Sequence, residues 1–336
     1  MADPERSARV AGIAAAHARL RHTPPAERKV VLMLSAYPTK HSRVGNAVGL
    51  DTPVSTIRLL RELRDAGYDL GEPGQIPGLE LDDLTEAGDA LIHALIDAGG
   101  QDEEWLTHTQ LTESHVRIPA ARYAEWFDGF HPDLRDAMLE AWGPAPGKLF
   151  VNDEQEIVLA TIRAGNVVLM IQPPRGYGEN PVAIYHDPDM APSHHYLAAY
   201  RWVEEEFGAH AVVHLGKHGS MEWLPGKNAA LSASCGTDAA IGNLPLIYPF
   251  LVNDPGEGAP TSPPWTRPSC RRSARRSGRT CGPPRCTATS VSTTSRTRTT
   301  STTSSSTSTA GSARSRTPRS ATACTSSARL RRARRA

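Results

Sequence analysis

The chain has 336 residues, enough for two ordinary domains, and 39% of them are apolar, close to what a globular core needs. Its formal net charge of +1 conceals two unlike parts: residues 1–260 hold all 36 acidic residues against 20 basic ones, whereas 261–336 hold 17 arginines and no Asp, Glu or Lys. The absence of a long apolar run excludes a conventional membrane-spanning helix, and the opening Met1-Ala-Asp-Pro-Glu-Arg has no signal-peptide core, so a cytoplasmic protein is expected.

Residues 5–22 read as an amphipathic helix. After Pro24-Pro25 the run 29–35 is continuously apolar between Lys29 and Ser35, the pattern of a strand buried on both faces. A loop over 37–51 carries Gly45, Asn46 and Gly49, and Thr52-Pro53 then fits a cap and first-turn proline for a helix through 56–66. Residues 80–98 and 120–141 read as two further helices, joined by polar segments that include Trp105 and His108, with Trp126 and Trp142 as packing residues. A second βαβ unit follows, with a strand over 165–172, a helix over 194–207 and a strand over 211–215 that the right-handed crossover rule makes parallel to the first. The expected fold is α/β: βαβ units forming a mainly parallel sheet with surrounding helices. The expected domains are a helical segment over 1–28, an α/β subdomain over 29–150 with a helical insertion, an α/β subdomain over 151–259, and a disordered tail over 260–336.

That tail is built almost wholly from Ser, Thr, Arg, Ala, Pro, Gly and Cys, with Trp265, Val291 and Leu330 as its only large apolar residues, and such a segment cannot bury a core. Its arginines suit a nucleic-acid arm that contacts phosphates, yet it contains no lysine. Of the five cysteines only Cys235 lies in the acidic body, and the others lack the His partners or Cys-x-x-Cys pairing of a zinc site. Neither a disulfide framework nor a structural metal is indicated.

The chemistry concentrates in 214–227, His-Leu-Gly-Lys-His-Gly-Ser-Met-Glu-Trp-Leu-Pro-Gly-Lys, just beyond a predicted strand, where open α/β sheets bind ligands. His214, His218 and Glu222 supply imidazole nitrogen and carboxylate oxygen suited to a borderline divalent metal, while Gly216 and Gly219 let backbone approach a bulky ligand. The alternative is that the histidines cap and hydrogen-bond a tight loop. Arg175, Tyr177 and Glu179 follow the 165–172 strand and share that sheet edge if the two strands are parallel neighbours; they suit a carboxylated ligand or, equally, a solvated turn. His186, His194 and His195 lie at a helix start, where an exposed position is open to them, and each taken singly reads as structural. A nucleotide site fails on inspection, because the Gly-Lys pairs at 216–217 and 226–227 are followed by His and Asn and lack the upstream glycine of a P-loop. Any ATP requirement, with its Mg²⁺, falls to a partner.

These residues carry a resemblance. Residues 30–35, Gly45-Asn-Ala-Val-Gly-Leu-Asp-Thr-Pro53, Gly165-Asn166, Gln172-Pro-Pro-Arg-Gly-Tyr177, Tyr185-His-Asp-Pro-Asp189, 214–227 and Tyr248-Pro-Phe-Leu-Val-Asn-Asp-Pro-Gly-Glu-Gly258 resemble the large subunit of aerobic cobaltochelatase, related to that of magnesium chelatase. The resemblance covers residues 5 to about 259. It implies insertion of Co²⁺ into the tetrapyrrole hydrogenobyrinic acid a,c-diamide for cobalamin biosynthesis, with ATP hydrolysed by a separate AAA+ subunit and a companion subunit, and no role for membrane or nucleic acid. His214, His218 and Glu222 would then guide the metal or accept pyrrole protons. Arg175 and Lys227 would hold substrate carboxylates, with Tyr177, Glu179, Lys217 and His194 as further substrate contacts. The local wording Glu-Trp-Leu-Pro-Gly-Lys and Tyr-His-Asp-Pro-Asp looks like the cobalt branch. The alternatives are a magnesium chelatase subunit acting on protoporphyrin IX, or an inactive corrinoid- or metal-binding remnant. Family members are several times longer, and a segment that helps enclose the tetrapyrrole precedes the matched part. Where the family continues as folded acidic sequence, this chain turns into Ser/Thr/Arg text. In a GC-rich gene, Asp and Glu codons read one base late become Thr, Arg or Ser codons, so the tail is read as out of frame.

Overall fold

The computed structural model describes residues 3–36, 44–45, 49–99, 110, 116–176, 187–216, 219–227 and 229–249. Trp105, His108, His186 and the tail over 260–336 lie outside the described residues. In chain order the elements are α1 (Pro4–His22), β1 (Val30–Leu34), α2 (Thr52–Asp65), α3 (Leu84–Asp97), β2 (Val116–Pro119), α4 (Ala120–Gly129) and α5 (Pro132–Trp142). They continue with β3 (Glu156–Leu159), β4 (Thr161–Ala164), β5 (Val167–Ile171), α6 (His194–Arg201), β6 (Ala211–Leu215), α7 (Gly236–Ile241) and β7 (Leu246–Ile247).

The α/β expectation is met by a five-stranded sheet in the order β4-β5-β1-β6-β7 and a separate antiparallel pair, β2 with β3. β1, β5 and β6 are buried along their whole length because helices cover both faces, which removes the two-residue alternation of a half-exposed strand. β5 and β6 are parallel as expected but are not neighbours. β1 lies between them, pairing Val30 with Val167 and Ala211, and Leu34 with Ile171 and Leu215. The crossover from β5 through α6 therefore passes over β1. Since β1 comes from residues 29–150 and its two partners from 151–259, both stretches share one sheet.

Alternate residues of β1 feed two cores. Val30, Leu32 and Leu34 pack with Ile57 and Leu60 of α2 and Leu91 and Leu95 of α3. Val31 and Met33 face the other layer, with Tyr123 and Trp126 of α4, Leu134 and Met138 of α5, Tyr196 and Tyr200 of α6, and Ile118 and Ile157 of the strand pair. Burying a large apolar side chain is worth roughly 1.5–3 kcal/mol, so this double-sided burial makes β1 a major source of the sheet's stability.

Several local expectations are corrected. The predicted single helix over 120–141 breaks into α4 and α5 at Phe130-His131, because Pro132 cannot continue the hydrogen-bond ladder and instead opens the second helix, which the His131 side chain caps through Asp133 N–H. The cap of α2 is Asp51, whose carboxylate accepts from Val54 N–H, and Thr52 is the first helical residue. The helix after 194 is α-helical only to Arg201 and widens into a π turn over Trp202–Glu206. Most sharply, α1 is not amphipathic against the core: Ala16 is its only buried residue and Val10 is 67% exposed. Ion pairs hold it in place. Arg6 and Arg9 both reach the buried Asp238 of α7, at 2.9 and 3.0 Å. Burial alone would raise the Asp238 carboxyl, but the hydrogen bond from Arg6 and the charges of both arginines outweigh it and hold the carboxyl below the ordinary range. Trp126 and Trp142 are packing residues as expected, their indole N–H groups donating to Glu205 (2.7 Å) and to the Ala191 carbonyl (2.8 Å). No described helix is long and apolar enough to cross a membrane.

Candidate functional site

The register of the three central strands sets Ser35, Gln172 and Gly216 side by side at their carboxyl ends. Ser35 N–H donates to Leu215 O at 2.7 Å and Gln172 N–H to Leu34 O at 2.8 Å, so the ladder continues one residue past each strand. The helices after β1 and β5 leave toward opposite faces of the sheet, which is the switch point where open α/β folds hold ligands. At the end of β6 the chain has to turn against β1. Gly216 does so at φ +124°, and a Cβ there would stand 1.8 Å from Ser35 Oγ, so only glycine fits.

His214 sits in the sheet with 2% of its surface exposed. Tyr200 holds the ring: Gln172 Nε2 donates to the Tyr200 oxygen at 3.0 Å, and the Tyr200 hydroxyl is hydrogen-bonded to His214 Nε2 at 3.1 Å. Burial pushes the His214 pKa down to about 4, so the ring is neutral at pH 7. The Tyr248 ring stands edge-on to it at 5.5 Å between centroids.

The same carboxamide holds the following loop. Gln172 Oε1 accepts from Ser220 N–H at 2.9 Å while its Nε2 also reaches the Tyr196 oxygen at 3.3 Å, and Tyr196 closes the circuit to Ser220 Oγ at 3.2 Å. Gly219 N–H donates to the Tyr248 hydroxyl. Ser220 leads directly into a single 3-10 turn, Met221–Trp223, whose middle residue is Glu222. Sequence reasoning passed over Gln172, Tyr196, Tyr200, Ser220 and Tyr248. One signal was present: Tyr196 and Tyr200 are four residues apart, so a helix presents both on one face.

The other predicted residues are placed as follows. Lys227 is exposed, and its backbone N–H donates to Cys235 Sγ at 3.5 Å. Arg175 is 3% exposed, and its Nη2 donates to the carbonyls of Asp187 (2.8 Å) and Met190 (3.3 Å), tying the two ends of the loop after β5. His194 and His195 are buried at 2% and 6% and serve structural roles at the start of α6, without the exposure that a helix-start position allowed. His194 opens α6 beneath the α5–β3 connection, donating through Nε2 to Gly143 O at 3.0 Å and accepting from Tyr123 O–H at 2.9 Å. His195 donates to Val158 O at 3.1 Å and stacks on Phe150. A neutral imidazole with a satisfied donor can be buried, in keeping with the structural reading of these residues. Tyr177, Glu179, Lys217, His218 and the side chain of Glu222 lie outside the described residues. Among the described residues no group of three His, Cys, Asp or Glu side chains is placed to hold a metal. A cleft of about 420 Å³ lies elsewhere, lined by Arg9, Arg122, Trp126 and Arg201, but its guanidinium groups are taken by ion pairs to Asp238, Glu206 and Glu204.

Residues 1–261 match the family model described as CobN/Magnesium Chelatase. The aerobic cobaltochelatase subunit CobN of Pseudomonas aeruginosa is 42% identical over 260 residues, covering 77% of this chain and 20% of that protein. A magnesium-chelatase subunit of Chlorobaculum parvum is 31% identical over 253 residues, covering 75% and 18%. Among solved structures, the catalytic subunit of cobaltochelatase from Mycobacterium tuberculosis superposes with a TM-score of 0.65 at 57% identity, covering 77% of this chain and 21% of that one. The chain thus spans about a fifth of the length of the relatives it matches.

Proposed function

Because the chain belongs to the CobN/magnesium chelatase family, we propose that it is the part of a cobaltochelatase large subunit in which Co²⁺ enters a tetrapyrrole. The observation that carries this reading is the seating of 214–227: a motif with two imidazoles and a carboxylate, rooted by a buried hydrogen-bond network at the switch point of the sheet. Greater identity to cobaltochelatase than to magnesium chelatase relatives, 42% against 31%, favours cobalt and hydrogenobyrinic acid a,c-diamide over magnesium and protoporphyrin IX.

The chemistry asks for groups that accept N–H protons as the metal enters and groups that hold the macrocycle by its carboxylates. In this reading Glu222 and His218 meet the metal and the leaving protons. His214, buried and neutral, supports the loop and faces Gly219, where a Cβ would come within 3.0 Å of its Nδ1. Lys227 contacts a substrate carboxylate, as do Tyr177 and Lys217 where they reach it, Glu179 takes or gives a proton, and Arg175 shapes the loop that carries Tyr177 and Glu179. With no P-loop in the sequence, ATP and Mg²⁺ belong to an AAA+ subunit working with a companion subunit, all in the cytoplasm.

Absorbance titration of the chain with each macrocycle tests this. Hydrogenobyrinic acid a,c-diamide is expected to bind, and Lys227→Ala to weaken it about tenfold through loss of one charge-assisted hydrogen bond. Preference for protoporphyrin IX would move the assignment to the magnesium branch, and binding of neither would remove it.

A further inference from the structure

We infer that Gln172 is a positioning residue for metal insertion: its carboxamide, the first side chain beyond β5, sets the height and direction of the backbone that presents Glu222. The inference rests on the chelatase reading above and extends it to a residue that touches neither substrate nor metal.

The geometry leaves Gln172 little freedom. It is 2% exposed, and both ends of its amide are engaged, Oε1 with Ser220 N–H and Nε2 with the Tyr196 and Tyr200 oxygens. Those partners fix which end points where, since only the carbonyl oxygen can accept from a backbone N–H. The Ser220 bond joins the end of β5 to the loop after β6, across the central strand that separates them. Ser220 is two residues before Glu222, and the 3-10 turn between them is closed by Trp223 N–H donating to Ser220 O at 3.2 Å. The Glu222 backbone therefore inherits its position from Ser220, and Ser220 from Gln172. A buried hydrogen bond to backbone is costly to break because the donor left behind finds no water.

The test replaces Gln172 with methionine, which keeps the volume and removes both polar ends, and with glutamate, which keeps the acceptor for Ser220. Each goes into a family-length large subunit carrying this body, assembled with its partner subunits and assayed for cobalt insertion beside Glu222→Ala. Gln172→Met is expected to lower kcat about tenfold or more with KM for the tetrapyrrole unchanged, the pattern of a contact that matters only at the reacting stage. Gln172→Glu is expected to restore most of that loss. If Gln172→Met keeps full kcat while Glu222→Ala is inactive, the positioning role is wrong and the chelatase reading stands. Should KM rise in step with the loss of kcat, or Gln172→Glu fail as badly as Gln172→Met, the residue serves folding alone and the inference fails. If Glu222→Ala is itself fully active, Glu222 is out of the mechanism and this inference fails with it, whereas the chelatase reading falls only if the unsubstituted complex inserts no cobalt.

Discussion

Replacing Glu222 with alanine is expected to abolish cobalt insertion, by at least about a hundredfold, while tetrapyrrole affinity stays within about twofold of wild type. Removing a group that accepts a proton in the transition state costs roughly two to four orders of magnitude in rate, whereas a macrocycle held by its peripheral carboxylates loses nothing. Glu222 stands in the middle of a 3-10 turn that follows the tethered Ser220. Glu222→Gln separates chemistry from packing, since it keeps the shape and removes the basic oxygen, and it should be as inactive as the alanine variant. Turnover by either variant at the wild-type rate would take Glu222 out of the mechanism.

The second large effect is on stability. Burial holds both His195 and His214 at a pKa of about 4, against an ordinary value of 6.5, and lowers His194 as well. The unfolded chain takes up protons below pH 6.5, whereas the folded chain refuses them until about pH 4. Stability is therefore complete above pH 6.5 and is lost as the pH falls toward 4. For a histidine moved that far the loss is roughly 2 kcal/mol by pH 5, so His195 and His214 together remove about 4 kcal/mol, a large part of the stability of an ordinary domain. Urea denaturation at pH 7.5 and pH 5 measures it directly. A stability that is level or higher at pH 5 would show that these rings accept protons in the folded state and are not sealed as their burial implies.

The sheet centre was legible in the sequence because strands covered on both faces leave apolar runs, unbroken in 30–34 and 167–171 and interrupted only by His214 in 211–215. Their order was not. A crossover from β5 to β6 satisfies the handedness rule whether or not β1 lies between, and nothing in the sequence marks that insertion. β2, β3, β4 and β7 are four residues or fewer, too short for periodicity to separate them from loop. In α1 the alanine-rich text is helical as read, but the pairing of Arg6 and Arg9 with Asp238 joins residues more than two hundred positions apart and has no local signature. The site divides in the same way. The 214–227 motif announces itself by composition, whereas the Gln172, Tyr196, Tyr200 and Tyr248 groups that hold it come from three other segments and look like ordinary core residues in sequence. Arg175 illustrates the converse, a residue whose chemistry suits a substrate carboxylate and whose Nη2 instead donates to two backbone carbonyls. The change of composition at residue 260 falls where the family match ends, at 261.

The most direct measurement is cobalt insertion itself, with a family-length large subunit carrying residues 1–259 of this chain, assembled with its ATPase and companion subunits. ATP-dependent formation of the cobalt corrin from hydrogenobyrinic acid a,c-diamide, followed by absorbance, is the predicted result. Failure to form it in a complex that still binds the macrocycle, or formation of magnesium protoporphyrin in its place, would contradict the account.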